Sequence, residues 1–243
     1  MHNEHIKNII KGIDRLGRIH SPEVAFRDWC EMYALALYNV CTLHNEQWKA
    51  REQRYLDLIA KYDTKVITTI TAELVLAFEK DPFNDHLGNI YMELFGGNKN
   101  LGQCFTPRSI CELCAGISFP TPPKNGECHS LLDPCCGGGA MIIAFLEQCY
   151  LKGYNYQKYL TIEADDLDSL CVHMTYIQLS LLGARAVVKH QNSLSLQLFS
   201  TFYTPMEILR FPFITPEPEG QTPKAPEPLV LPNQPEKGQL LLF

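Results

Sequence analysis

Leu132-Asp133-Pro134-Cys135-Cys136-Gly137-Gly138-Gly139-Ala140-Met141 is the stretch on which the reading of this chain turns. An apolar run ends in an acid, a glycine-rich turn follows, and Ile142, Ile143, Phe145 and Leu146 open an apolar segment behind it. That order describes a strand, a loop and a helix. Glycines let the loop backbone approach a ligand, and the helix N-terminus offers N–H groups with no intrahelical acceptor. A nucleotide-like cofactor is the ligand such a unit holds.

Working outward, residues 129–132, 159–162 and 186–189 read as strands, and residues 140–151 and 167–182 as the helices between them. Gly183 closes the second helix. Strands alternating with helices of this length imply right-handed crossovers and a parallel, doubly wound α/β sheet. Ligands of such sheets lie at the carboxyl ends of the strands. Three segments fall there: the loop after Asp133; Glu163, where a carboxylate can take both hydroxyls of a ribose; and Asn192, where a polar side chain can meet an adenine edge. An acid at this distance from a glycine loop suits any adenosine-containing cofactor, NAD and S-adenosylmethionine alike.

Residues 1–100 read as a helical region. Ser21-Pro22-Glu23 has the pattern of an N-cap with proline at the first helical position. Phe26, Trp29, Cys30, Tyr33, Leu37 and Val40 follow at three- and four-residue spacing. Further helices are expected over 46–62, 64–79 and 85–94, the last stopping at Gly96-Gly97, and their apolar stripes read as core. Thr106-Pro107 opens another helix as N-cap and first position. Residues 101–211 form the cofactor-binding domain in this reading. From residue 212 onward, prolines at 212, 216, 218, 223, 226, 228, 232 and 235 leave little room for helix or ladder, so 212–243 reads as an extended tail.

With a formal net charge of −6, no global basic field draws the chain to nucleic acid. No apolar run approaches the roughly 20 residues needed to span a bilayer, and the first residues do not form a signal peptide, so a cytoplasmic protein is expected. The ten cysteines then read as free thiols. Cys111 and Cys114 have metal-ligand spacing, but they sit in an apolar helical pattern with no second pair to complete a zinc site, and no metal is assigned.

The glycine stretch is similar to the D-P-A-C-G-S-G-G-F motif of adenine-N6 DNA methyltransferases. Among these, the chain looks closest to the methylation subunits of type I restriction–modification systems. Gly102-Gln103-Cys104-Phe105-Thr106-Pro107-Arg108 resembles that group's G-Q-F-F-T-P-R segment, and Asp85-x-Leu87-Gly88-x-Ile90-Tyr91 resembles the helix leading into it. The pieces keep the family's order over roughly residues 80 to 195. The resemblance implies a Rossmann-like S-adenosylmethionine-dependent methyltransferase fold with an incomplete sheet. Gln103, Phe105, Thr106, Pro107 and Arg108 would line one side of the cofactor pocket. Asp133, Gly137, Gly138, Gly139 and Ala140 would form the loop beside the amino-acid moiety. Glu163 would bind the ribose, and Asn192 the adenine, where the family usually has aspartate. Cys104 replaces a typical aromatic and Met141 a phenylalanine.

In the same family an N-P-P-Y or N-P-P-F motif accepts hydrogen bonds from the exocyclic amine of a flipped adenine, and its aromatic stacks on the base. This sequence contains no N-P-P. The nearest candidate by position is Thr204-Pro205, which lacks the asparagine and the second proline. The resemblance therefore implies a cofactor-binding relative whose action on DNA is impaired or needs a partner subunit.

The tail supplies a second reading. Gln239-Leu240-Leu241-Leu242-Phe243 resembles the Q-L-x-L-F peptide by which bacterial proteins dock on the DNA polymerase sliding clamp, with Gln239, Leu240, Leu242 and Phe243 as anchors. A non-catalytic adaptor tethered to the clamp is thus the alternative function. The opposing reading of these residues is that they fold back on the domain or pack in an oligomer.

Overall fold

The computed structural model describes residues 4–18, 20–43, 47–96, 105–119, 121 and 127–209, and the backbone of 239–241. Five helices come first: α1 (Glu4–Leu16), α2 (Pro22–Cys41), α3 (Trp48–Ile59), α4 (Thr64–Lys80) and α5 (His86–Phe95). Side-chain caps start three of them. Ser21 Oγ accepts from Val24 N at 3.2 Å, an Asp63 carboxylate oxygen from Lys65 N at 3.0 Å, and Asp85 from Gly88 N at 2.9 Å. The α1 face of Ile6, Ile9, Ile13 and Leu16 is buried and packs against α4. Gly12 permits that approach, since a Cβ there would stand 2.2 Å from Ile70 Cγ2.

The sheet follows. Its elements are α6 (Arg108–Ser118), β1 (His129–Asp133), α7 (Ala140–Leu151), α8 (Tyr156–Tyr159), β2 (Leu160–Asp166), α9 (Ser169–Leu181), β3 (Arg185–Asn192), β4 (Gln197–Tyr203), α10 (Pro205–Leu209) and β5 (Gln239–Leu241). The strand order is β4-β3-β2-β1-β5. β1, β2 and β3 are parallel, β4 runs antiparallel to β3, and β5 lies parallel to β1.

Three strands differ from expectation, one of them β5, which pairs Gln239–Leu241 of the stretch read as an extended tail with β1. β2 does not begin at Tyr159, which lies in the short α8, and it runs on to Asp166. Glu163, Asp165 and Asp166 look like the edge of a loop, yet buried Ile162 and Ala164 alternate with Glu163 and Asp165, so the strand continues through the acids. β4 gave no strand signal because, of its seven residues, only Phe202 is buried. As the edge strand it needs no apolar alternation.

One sheet face carries Leu131, Ile162, Ala164, Ala186 and Val188, all buried, with α9 packed on β2 and β3. Leu132, Thr161, Glu163, Val187 and Lys189 on the other face are half-buried. The helical region joins this core directly. Arg27 bonds Asp168 at 2.8 Å, and the Tyr38 ring meets those of Tyr176 and Phe202 at 6.0 and 5.2 Å. The division drawn after residue 100 falls within 97–104, outside the described residues.

Candidate cofactor site

β1 ends at Asp133 and hands the chain to the glycine loop. Gly137 has φ +55° and Gly139 φ +91°, the left-handed region that side chains with a Cβ avoid. Space is short as well. A Cβ on Gly137 would lie 3.2 Å from the Phe105 ring, on Gly138 3.3 Å from Asp85 Oδ1, and on Gly139 3.1 Å from Thr175 Oγ1. The loop is held from three sides. Gly137 N donates to Asp166 Oδ2 at 2.9 Å, Thr175 Oγ1 to Gly137 O at 2.9 Å, and Gln178 Nε2 to Gly138 O at 2.6 Å. Gly139 then stands at the N-cap of α7, with Ala140 as the first helical residue.

Gln178 does more than hold the loop. Its Nε2 also donates to Asp85 Oδ1 at 2.8 Å, and its Oε1 accepts from Leu87 N at 3.2 Å. The start of α5, the glycine loop and α9 are thereby fixed by one buried amide. Next to this junction lies a crevice of about 230 Å³ bounded by Asp85, Phe105, Thr106, Pro107, Ala140 and Glu147. Arg108 sits at its rim, donating to Glu112 at 2.6 Å and Glu147 at 3.1 Å, and its guanidinium pKa is raised first by the Glu112 bond.

Acids crowd the strand ends. Asp133 is 3% exposed, and its pKa is pushed up to about 7, by burial first and then by Asp166 and Asp165, against the Cys135 N–H it accepts. Asp165 rises to about 6 through burial and Glu163, opposed by Lys189. Asp165 Oδ1 is buried without a hydrogen-bond partner among the described residues. A buried acceptor left open is costly unless a ligand or water completes it.

The residues expected at the site divide as follows. Phe105, Thr106, Pro107, Arg108 and Ala140 line the crevice, while Asp133 ends β1 and leads into the Gly137–Gly139 loop, which Phe105 and Asp85 approach. Gln103 and Cys104 lie outside the described residues. Glu163 is three residues short of the end of β2, on the opposite face from Asp166, and pairs with Lys189. The acid that reaches the loop is Asp166. Its signal in the sequence is Asp166-x-Asp168, because Asp168 caps α9 through Leu170 N and places Asp166 at the strand end. Asn192 does lie at the end of β3, but its Oδ1 accepts from Leu194 N and Ser195 N, both at 3.0 Å, and shapes the turn into β4. Thr204 and Pro205 are not brought to the crevice. Thr204 is fully buried at the opposite, amino end of β3, donating to Ala184 O at 2.7 Å and accepting from Ala186 N at 2.9 Å. Of the tail anchors, the backbone of Gln239 and Leu240 lies in β5, while Leu242 and Phe243 are outside the described residues.

Comparison with known proteins adds the family. The profile of the N-6 DNA methylase family matches residues 83–208, from the end of α4 through the last element before the tail. The chain belongs to the N-6 DNA methylase family. The methylase subunit of the type I restriction enzyme MjaIX from Methanocaldococcus jannaschii is 28% identical over 114 residues, which are 45% of this chain and 19% of that protein. A Listeria monocytogenes structure assigned to the class I S-adenosylmethionine-dependent methyltransferases superposes with a TM-score of 0.50 at 16% identity, covering 82% of this chain and 56% of the other. A Vibrio vulnificus modification subunit, assigned to a type I restriction enzyme, matches 59% of this chain and 32% of its own at 18% identity and a TM-score of 0.39. The chain thus spans about a fifth of the curated N-6 DNA methylase relative and about half of the first structural neighbour.

Fold and family imply S-adenosylmethionine as the cofactor, and the residues present fit it. A glycine cradle at a helix start suits a close backbone approach, and the unpartnered buried carboxylate oxygen of Asp165 suits a ligand rich in hydroxyl donors and cationic centres. When bound, S-adenosylmethionine supplies an electrophilic methyl group on a sulfonium. Phe105, Thr106, Pro107, Asp133 and the Gly137–Gly139 loop would hold its amino-acid end, and Asp166 at the end of β2 its ribose.

Proposed function

We propose that this N-6 DNA methylase relative is the cofactor-binding part of a DNA adenine-N6 methylation system of the restriction–modification kind. Adenine recognition would be completed by groups from a partner polypeptide. The observation that carries this reading is a cofactor crevice joined to a sequence without N-P-P, whose nearest candidate by position, Thr204-Pro205, is committed to backbone bonds at the wrong end of β3. Without a paired amide and carbonyl acceptor, the adenine amine keeps its lone pair conjugated with the ring and is a poor nucleophile. On this reading the chain's own residues bind and orient the cofactor, and Asp166 takes the ribose-facing role in place of Glu163. The half-buried face containing Leu132 and Val187 is where a partner could cover the sheet, because parallel sheets are ordinarily covered on both sides. DNA is then a partner through that assembly, and a cytoplasmic site of action follows from the substrate.

Methyl incorporation into adenine-containing DNA tests the proposal, with the chain alone and with host-cell extract or a supplied type I partner. Incorporation only in the supplemented reaction supports it. Full activity of the chain alone would show that the missing acceptors lie within this sequence.

The second reading, an adaptor on the sliding clamp, rests on Gln239-Leu240-Leu241-Leu242-Phe243. Removing residues 239–243 should abolish retention of the chain on immobilised clamp. Unchanged retention rejects it.

A further inference from the structure

In a doubly wound sheet the strand next to β1, on the side away from β2 and β3, normally comes from the second half of the fold, and the ligand crevice opens between the two. Here that seat holds Gln239, Leu240 and Leu241. They pair with β1 in parallel, Ser130 with Gln239, Leu131 with Leu240 and Leu132 with Leu241. The direction matters. β5 runs toward the carboxyl end of β1, so its last residue points the chain at Asp133 and the glycine loop.

Three properties of this pairing bear on what it does. First, without β5 the outer side of β1 would be a row of unpaired N–H and C=O groups, a template for any extended strand. Second, the chain can close the edge on itself. From β4 to β5 is four strand spacings, roughly 19 Å, whereas the length of chain in residues 210–238 could extend to about 90 Å. Because the strand belongs to the same chain, closing it on β1 is an intramolecular event that a free peptide has to compete with. Third, three residues make a strand at the lower limit of stable length, so the pairing opens more readily than β2 against β3.

We propose that the outer edge of β1 is a strand-acceptor site that the chain closes in cis with Gln239–Leu241. An extended peptide of the same sequence takes this seat in trans once the cis strand is removed. Leu241 pairs with Leu132, the residue before Asp133, so occupancy of the seat and order of the Asp133 loop are linked. The proposal does not depend on the clamp reading. It does mean that residues 239–241 cannot sit on β1 and on another protein at once.

Hydrogen exchange on the full chain tests it. In a Leu240→Pro variant, the peptide covering residues 129–134 should exchange at least tenfold faster than in wild type, while residues 185–192 keep their protection as the internal control for folding. A labelled peptide of residues 236–243 should bind that variant, restore protection at 129–134, and bind wild type at least tenfold more weakly. Unchanged exchange at 129–134, or no binding of the peptide to the variant, overturns the proposal. If the variant also loses protection at 185–192, wild type carrying p-benzoylphenylalanine in place of Phe243 decides the matter. Intramolecular cross-links to residues 129–139 support cis closure. Cross-links elsewhere, or only between two copies, overturn it.

Discussion

Asp133 and Asp165 set the pH behaviour of the site. An aspartate in an unfolded chain titrates near 4, whereas burial raises Asp133 to about 7 and Asp165 to about 6 in the folded protein. Between the unfolded and folded values the native state binds more protons, so these groups make stability fall as pH rises through that window, with the penalty complete above it. Asp133→Asn should therefore gain thermal stability relative to wild type as pH climbs from 4 to 7, as scanning calorimetry at several pH values would show. Cofactor binding should respond in the opposite sense, because a cationic ligand favours the deprotonated acids: affinity should rise from pH 5.5 to 8. Thr204→Val separates structure from chemistry. It leaves Ala186 N and Ala184 O without their hydroxyl partner, at a cost of about 1–3 kcal/mol in denaturant unfolding, while cofactor affinity stays at the wild-type value. At this scale the sequence was legible where one residue type has one use. Gly137 and Gly139 could be singled out because the loop needs φ values only glycine adopts readily. Glu163 and Asp166 are both acids near a strand end, and what separates them is the true length of β2 together with the cap at Asp168.

Among elements, the start of α2 was readable because capping is local: Ser21 bonds an amide three residues on, so signal and structure share one short window. Thr106-Pro107 misled, since α6 begins at Arg108 with Pro107 at the N-cap position and no side-chain cap bond. The extent of β2 and the existence of β4 depend on pairing with distant residues, which a local pattern does not carry. Gln178 lies between these cases. A glutamine with apolar Ile177 and Leu179 beside it marks a buried amide with a task, but its partners Asp85, Leu87 and Gly138 are 40 to 93 residues away. Gln178→Leu should remove the brace between α5 and the glycine loop and leave the Asp85 carboxylate and Leu87 N–H short of a partner. Unfolding free energy should drop by about 1–3 kcal/mol, and exchange of the 133–140 amides should accelerate. Gln178→Glu keeps an acceptor for Leu87 N but places a second carboxyl beside buried Asp85, so it should destabilise the fold at neutral pH and recover in part under acid.

For the molecule as a whole, the helical region and the sheet act as one support for the crevice. Asp85 and Phe105 approach the loop from outside the sheet, and Arg27 and Tyr38 tie α2 to α9 and β4. Truncation before residue 80 should therefore expose the buried Tyr176 and Phe202 environment and abolish cofactor binding along with the cooperative unfolding transition. The doubly wound class, the glycine loop and the family resemblance were all visible in the sequence, because each rests on short motifs kept in order along the chain. The seat beside β1 was not, since it joins residues more than 100 apart through backbone alone. Binding of S-adenosylmethionine at the ends of β1 and β2 is the claim from which the rest follows. Isothermal titration calorimetry on wild type, Asp166→Asn and Glu163→Gln tests it most directly. The account predicts one binding site in wild type, a loss of at least about tenfold in affinity (~1.4 kcal/mol) for Asp166→Asn, and little change for Glu163→Gln. No binding by folded wild type, or loss confined to Glu163→Gln, would contradict it.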